Sequence, residues 1–369
     1  MILILTAGFG DGHNTAARNV AAGLMKLAPH QKLKVIDVCD AAHPFISPIN
    51  KAGYQFIITH APWIWRGIFN QAGKVSFSSG EPGMFFGLQR ALDDLLRREK
   101  PTAIILTFLV YSGLLENLRR MGREVPPIFT VVTDSITVHP AWTLGPSDRY
   151  FVADEDTKDS LAGLGVRKED IVVSGFPVSL AFLDDPTVSQ NGDAGSIVYL
   201  PSTNGTHFAR TLDALKPLVK NGARLTLPLG KHKSRLYHPV TQFIDALPGA
   251  HIEVLGWTNQ IPRLLQTHDL AICKAGGAIL HEALAATCPA IIDYVVPGQE
   301  EGNAELLTRN DCGVTTKTPE ETGAQAARLL ANHKAEARRM KANMVPLSEP
   351  DASIRIAQEV FRYMDKGKA

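Results

Sequence analysis

The residues best suited to chemistry lie between Lys274 and Asn303, in the stretch KAGGAILHEALAATCPAIIDYVVPGQEEGN. An apolar run ending at Cys273 reads as a buried strand. Ala275, Gly276 and Gly277 interrupt it and let a helix begin with its backbone N–H groups exposed. Such a start favours an anion, through the unpaired donors and the helix dipole together. Glu282 falls about one and a half turns into that helix, where its carboxylate can accept two hydrogen bonds from a cis-diol such as a ribose. A second strand, Ala290–Tyr294, runs out through Pro297 and Gly298 to Gln299 and Glu300 and opens a helix carrying Asn303. Diphosphate, ribose and a sugar ring can all be held at adjacent strand ends, so the stretch reads as a nucleotide-sugar site.

Other loops offer complementary groups. Gly8 to His13 (GFGDGH) follows the first apolar strand. The glycines, Gly12 among them, allow a tight turn whose N–H groups approach a ligand, and His13 opens the next helix as a proton-transfer candidate. A dinucleotide-binding GxGxxG needs glycine at position 13, and although Asp37 lies where a ribose-binding acid would stand, His13 argues against that reading. Asp134 and His139, with Trp142 beyond them, occupy a strand-end loop where catalytic groups collect; the plainer reading is an aspartate that caps a turn and a histidine that merely meets solvent. Ser202, Thr203, Asn204 and Gly205 lie between a strand and a helix and suit either phosphate binding or helix capping. Lys231 can neutralise a diphosphate or simply face water. Trp257 and Thr258 end another strand, where an aromatic face and backbone groups can hold a base.

The elements that must position these groups alternate strand with helix, which implies parallel sheets built from βαβ units. Two such series are expected: residues 1–183 as one domain and 196–345 as a second, doubly wound, facing the first across a cleft at the strand ends. The polar segment Asp184–Gly195 reads as the linker. Gly175–Pro177 reads as a hinge or a cleft-lining turn. A last helix over 351–365 is expected to return to the first domain. Residues 44–88 stand apart: Phe45, Tyr54, Phe56, Trp63, Trp65, Phe69, Phe77, Phe85 and Phe86 are interleaved with Lys51, Arg66 and Lys74. That pattern fits a helical insertion, either a small aromatic subcore or a patch that meets a membrane surface.

Composition removes several classes. The chain has 369 residues, more than one ordinary core, which favours two domains. With 45% hydrophobic and 20% charged residues it fits a soluble globular protein. A formal net charge of +1 argues against a nucleic-acid partner. The four cysteines, Cys39, Cys273, Cys288 and Cys312, lack metal-ligand spacing and read as buried free thiols in a reducing cytosol. No zinc pattern, P-loop or GxSxG occurs, and no apolar run reaches the about 20 residues that span a membrane. The apolar N-terminus lacks a basic leader and a cleavage site, so it is not read as a signal peptide.

Taken together, ILTAGFGDGH, VVTDSITVHPAW, KAGGAILHEAL and PGQEEGN resemble, in order and over nearly the whole chain, the monogalactosyldiacylglycerol synthase and processive diacylglycerol glucosyltransferase group of glycosyltransferase family 28. That resemblance implies a GT-B fold, an α/β pair of Rossmann-like domains facing across a cleft. It implies an inverting transfer of a hexose from a UDP-sugar to an acceptor hydroxyl, a lipid such as diacylglycerol, with no metal and no cofactor. By the same resemblance Glu282 is the ribose ligand, Trp257 and Thr258 the uracil contacts, Gly276 and Gly277 the diphosphate ligands, and Gln299, Glu300 and Asn303 sugar or diphosphate contacts. His13 resembles the glycine-loop histidine near the acceptor, while Asp134 and His139 match a D-x4-H loop on the acceptor side. The implied location is the cytoplasm, peripheral on the inner face of the cell membrane. Two loops depart from the family pattern, Pro201–Gly205 and Lys231-His232. They keep open a soluble small-molecule acceptor, a UDP-N-acetylglucosamine 2-epimerase, and a non-catalytic UDP-sugar or lipid-binding module. Within the transfer reading, His13 is the expected base and Asp134 the alternative.

Overall fold

The structure, a computed structural model, describes residues 1–9, 11–42, 47, 53, 56–57, 85–185, 194–201, 205–230, 233–297 and 300–366. The chain divides into two compact units. The first comprises Met1–Leu180, Pro297–Gly302 and Asp351–Ala369, the second Ala181–Val296 and Asn303–Pro350.

The first unit contains β1 (Ile2–Thr6), α1 (Asp11–Leu27), β2 (Leu33–Asp37), α2 (Val38–Ala42), α3 (Phe86–Glu99), β3 (Ala103–Leu106) and α4 (Tyr111–Arg120). β4 (Ile128–Val131), a 3-10 turn over Pro140–Thr143, β5 (Arg149–Val152), α5 (Glu155–Gly163) and β6 (Ile171–Val173) complete the series. Its six described strands are all parallel, in the order β2-β1-β3-β4-β5-β6. Ile2, Leu3, Ile4 and Leu5 are wholly buried, as a central parallel strand covered on both faces must be. One face packs Leu92, Leu106, Leu114 and Leu118. The other packs Ala17, Val20 and Leu24 of α1 against Ile356 and Val360 of the C-terminal helix, Ala352–Lys366.

That helix is therefore part of the first unit's core. It crosses α1 so closely that a Cβ added at Gly23 would lie 2.1 Å from the Ser353 carbonyl oxygen. The Ser353 hydroxyl donates to the Val178 carbonyl at 2.7 Å, and Asn19 of α1 donates to the Pro177 carbonyl at 3.0 Å. These bonds pin the segment Gly175–Pro177, with Phe176 buried, so it is a fixed part of the first unit rather than a hinge. The division of units falls after Leu180. Residues Ala181–Asp185 are already tied to the second unit, where Gln266 donates to the carbonyls of Phe182 and Asp184. The expected linker begins later than that division, and residues 186–193 of it lie outside the described residues.

The second unit contains β7 (Ser196–Tyr199), α6 (Gly205–Lys220), β8 (Arg224–Pro228), α7 (Lys233–Asp245), β9 (Ile252–Leu255), α8 (Ile261–Thr267), β10 (Leu270–Lys274) and α9 (Gly277–Ala285). β11 (Ala290–Tyr294), α10 (Glu301–Arg309, its first two residues counted with the other unit), β12 (Gly313–Thr315) and α11 (Pro319–Met344) follow. The strand order is β12-β11-β10-β7-β8-β9, again all parallel. Counted within the unit, this is the 3-2-1-4-5-6 order of dinucleotide-binding folds. α11 is two helices in one run. Asn332, His333 and Lys334 adopt positive φ, and buried Lys334 is tied to Asp269 at 3.3 Å. All four cysteines are free and buried.

The α1 crossing yields a test. Gly23→Ala places a methyl group against backbone that cannot yield, and should lower unfolding free energy by about 1–3 kcal/mol. Gly163→Ala, in α5 with nothing within 4 Å of the added Cβ, should not. Equal melting temperatures for the two variants would contradict the packing.

Candidate active site

In each unit the strand order reverses at one point, and the loops leaving the two strands there diverge to leave room for a ligand. In the second unit this lies between β7 and β10. The helices that follow those strands are α6 and α9, the two whose starts the sequence marked.

Gly276 caps α9 in extended conformation (φ −68, ψ 133), with no side-chain cap on its N-terminal N–H groups. A Cβ at Gly276 would stand 3.3 Å from both Cε and Nζ of Lys274. Lys274 therefore brings an ammonium to the helix start, a residue that sequence reasoning passed over. The signal was present: it is the last residue of a buried strand, two residues before the glycine pair. Ala275 is wholly buried and is fixed from two sides. Its N–H donates to the Tyr294 carbonyl at 2.8 Å, and its carbonyl accepts Nδ2 of Asn303 at 3.1 Å. Asn303 thus shapes the loop that presents the helix start. Glu282 is the sixth residue of α9 and half-buried, beside buried His281. Trp257 is exposed, and the Thr258 hydroxyl accepts the Gln260 N–H at the start of α8. Glu300 is buried immediately before α10. Gly205 is the first residue of α6, with nothing within 4 Å of an added Cβ. Ser202, Thr203, Asn204, Lys231 and Gln299 lie outside the described residues.

Beneath the α6 start, buried Asp293 at the end of β11 accepts the Tyr199 hydroxyl at 3.0 Å and lies 3.3 Å from His207 Nε2. Neither Tyr199 nor His207 figured in the sequence reading, because a strand-end aspartate two strands away gives no local signal.

In the first unit the reversal lies between β1 and β3. Asp37 closes the loop after β1: Oδ2 accepts the Gly8 N–H at 2.8 Å and Oδ1 accepts the Asp40 N–H at 3.1 Å. Its carboxylate is committed to this loop, a local role that the dinucleotide reading does not require. Gly12 and His13 are the second and third residues of α1. His13 is buried against the edge of Phe108; its Nδ1 lies 3.0 Å from the Thr133 hydroxyl, and it also bonds the Thr107 backbone. Burial pushes its pKa down to about 4, only partly offset by the Thr107 bond.

Asp134 follows Thr133 at the end of β4. Its Oδ2 accepts the Trp142 indole N–H at 2.7 Å and the His139 backbone N–H at 3.2 Å. The aspartate does cap a turn, as the plainer reading had it. Its Oδ1 makes no hydrogen bond to a described residue, so one oxygen is held and the other is presented. Burial raises the carboxyl pKa, opposed by the Trp142 and His139 bonds. His139 caps the 3-10 turn, its Nδ1 accepting the Ala141 N–H at 3.2 Å. The aromatic insertion lies mostly outside the described residues; Phe56 and Phe86 at its margins are each 63% exposed.

Comparison with known proteins places this arrangement. The family profile for monogalactosyldiacylglycerol synthase matches residues 13–178. The chain is 26% identical to processive diacylglycerol beta-glucosyltransferase of Bacillus licheniformis, across 99% of this chain and 95% of that one. Over residues 13–178 the chain is thus similar to the monogalactosyldiacylglycerol synthase family, and over nearly its whole length to that glucosyltransferase. The same enzyme of Bacillus cereus is 29% identical across 89% of this chain and 85% of its own. Among solved structures, the S. aureus MnaA–UDP co-structure aligns at TM-score 0.66 and 14% identity, over 99% of this chain and 96% of that one. Acinetobacter baumannii MurG aligns at TM-score 0.61 and 14% identity, over 99% of each chain. The chain has the GT-B fold of these neighbours.

His13, His281 and His268 are each pushed down to about 4 from an ordinary 6.5, burial being the largest cause. The unfolded chain takes up these protons below pH 6.5, and the native chain only near pH 4. Stability contributed by the neutral rings is therefore present above pH 6.5 and is lost as pH falls towards 4, by on the order of 3 kcal/mol per histidine. Urea midpoints should fall steeply across that interval; a flat profile would overturn the burial argument.

Proposed function

We propose that the chain is an inverting glycosyltransferase that moves a hexose from a UDP-sugar to the hydroxyl of a diacylglycerol-type lipid, without a metal or a cofactor of its own. The observation that carries this is the full-length match to processive diacylglycerol beta-glucosyltransferases, 26% identical across 99% of the chain. The site chemistry agrees with it. In this reading the α9 start, Gly276 and Gly277 with the Lys274 ammonium, binds the diphosphate. Glu282 accepts the ribose hydroxyls, and Trp257 and Thr258 meet the uracil. Gly12, Gly205, Glu300 and the Asn303-supported loop at Ala275 complete the donor contacts, with Ser202, Thr203, Asn204, Lys231 and Gln299. The exposed rings of Phe56 and Phe86 suit a lipid surface. Among the described residues no helix is long and apolar enough to cross a membrane; the reading takes the protein as a peripheral enzyme on the cytoplasmic face.

The base is Asp134 in this proposal, and His13 acts as a neutral hydrogen-bonding element. A general base needs an open lone pair and a pKa drawn towards working pH. Asp134 has an open Oδ1 and a carboxyl raised by burial. His13 has its ring engaged by Thr133 and Thr107 and is a weak base at about 4. The acceptor hydroxyl loses its proton to Asp134 as its oxygen attacks the anomeric carbon, and the bond to UDP breaks on the opposite face. The departing negative charge falls to the α9 N–H groups and Lys274.

With UDP-glucose and diacylglycerol vesicles, mass spectrometry should show a hexosyl lipid. Asp134→Asn should lower kcat by about 10²–10⁴ with UDP affinity intact, and His13→Gln should lower it less. The reverse ranking would return the base to His13. Glu282→Ala and Lys274→Met should each weaken UDP binding about tenfold or more; unchanged Kd would remove them from the donor site. An epimerised nucleotide sugar formed from donor alone would point instead to an epimerase.

A further inference from the structure

Two residues beyond Asp134 the backbone does something costly. Ile136 has φ +62. A β-branched side chain in the left-handed region is a true outlier, because its Cβ substituents crowd the backbone. The Thr137 N–H donates to the Ser135 carbonyl at 2.7 Å. This closes a three-residue turn around Ile136, the rarer and strained form of γ-turn, with a positive central φ. Strained backbone persists only where its surroundings over-determine it. Here the surroundings include one face of α5 and Gly302, where an added Cβ would stand 2.2 Å from the Ser135 carbonyl oxygen.

Thr157 is wholly buried and in the first turn of α5. Its hydroxyl donates to Asp154 Oδ1 at 2.8 Å, which leaves its lone pairs to accept the Ile136 N–H at 2.9 Å. Asp154 Oδ1 also caps the helix by accepting the Thr157 N–H at 2.7 Å. The Thr157 oxygen is thereby fixed in rotation, with the helix cap as its anchor. One turn on, the Ser160 hydroxyl accepts the Val138 N–H at 3.3 Å. The next N–H, that of His139, turns back to Asp134 Oδ2, and the chain then places the Trp142 indole on that same oxygen. The donors of Ile136, Thr137, Val138 and His139 are all taken, and none by a strand or helix ladder. A loop built this way has one geometry, and that geometry holds one carboxylate oxygen while leaving the other open.

We propose that Thr157, assisted by Ser160, is a positioning residue for the transfer reaction: its hydroxyl holds the strained Ile136 turn and so aims Asp134 Oδ1 at the acceptor hydroxyl. The inference rests on the assignment of Asp134 as base. Without the Thr157 hydroxyl the Ile136 N–H has no acceptor, and the turn relaxes towards negative φ. The His139 N–H and the Trp142 indole then lose their hold on Oδ2, and the open oxygen loses its bearing. The donor contacts that lie on the second unit in the functional reading, at Lys274, Gly276, Gly277 and Glu282, are untouched.

The test compares Thr157→Val, which keeps the shape and removes the hydroxyl, with Thr157→Ser, which keeps the hydroxyl. Both are assayed as full-length protein with UDP-glucose and diacylglycerol vesicles, alongside melting temperature. Thr157→Val should lose about ten- to a hundredfold in kcat per folded molecule, with donor KM unchanged, and Thr157→Ser should stay within about twofold of the parent. Ser160→Ala, a milder change, should lose several-fold in kcat and provides the answer if Thr157→Val does not fold. Parental kcat in folded Thr157→Val, or in Ser160→Ala when the valine variant is insoluble, overturns the positioning role alone. Parental kcat in Asp134→Asn overturns the base assignment and this inference with it. Absence of transfer product from the unaltered enzyme overturns the functional reading itself.

Discussion

A parallel strand buried on both faces must end in a loop, and the N–H groups of the helix that follows must find partners there. Most of the site follows from that constraint. β1 and β10 are almost free of polar side chains until their last residues. What comes next must turn sharply and carry chemistry, because the core permits neither. The reversal of strand order then decides which loops are left uncovered: those after β1 and β3 in one unit, and after β7 and β10 in the other. His13 sits at the first reversal and the α9 start at the second.

The parts of this arrangement that were legible in the sequence are those with a local signature. Gly276-Gly277 after an apolar run marks a helix start, and Glu282 is located by counting turns from it. The C-terminal helix was readable as a returning element because Pro350 isolates an amphipathic stretch. What was not legible depends on partners distant in sequence. Asp37 resembles a ribose ligand by position, yet its carboxylate closes the loop at Gly8. Asn303 is expected at the substrate, and its amide also supports the Ala275 carbonyl, a role with no local signal. Gly175–Pro177 resembles a hinge until Asn19 and Ser353 fix its neighbourhood. In each case the residue type was read correctly, and the partner that decides its use came from another element.

His13 and Asp134 show why type and position do not settle a catalytic role. Both follow a strand closely, His13 buried at the start of α1 and Asp134 half-buried in the loop after β4. Burial acts on the charged form of each, so it weakens the imidazole as a base and strengthens the carboxylate. Hydrogen bonding then separates them further. The imidazole is engaged by a hydroxyl and a carbonyl, while the carboxylate is held through one oxygen only. An acid–base role goes to the group that retains an open lone pair at a useful pKa. No sequence signal reports the direction in which burial pushes, because the same apolar neighbours push histidine and aspartate opposite ways.

Lys274 raises a further electrostatic point. A cation beside a helix N-terminus faces the positive end of the dipole, an unfavourable neighbour within the first turn. The placement becomes favourable once an anion lies between them, since the anion is attracted by both. A diphosphate carrying two or more charges reverses the sign of the local interaction, and a neutral sugar or lipid does not. In the proposed reading the strand end that holds Lys274 would discriminate for charge before any side chain reads the sugar. Glu282 sets a limit on that attraction. A carboxylate on the same helix repels phosphate unless it lies far enough along to meet the neutral diol instead, and the five-residue offset from Gly277, about 7.5 Å of helix rise, provides that separation. In the proposed reading, the spacing of Lys274, Gly277 and Glu282 along one strand–helix junction sets charge, dipole and hydroxyl acceptor side by side, as a nucleoside diphosphate would need them.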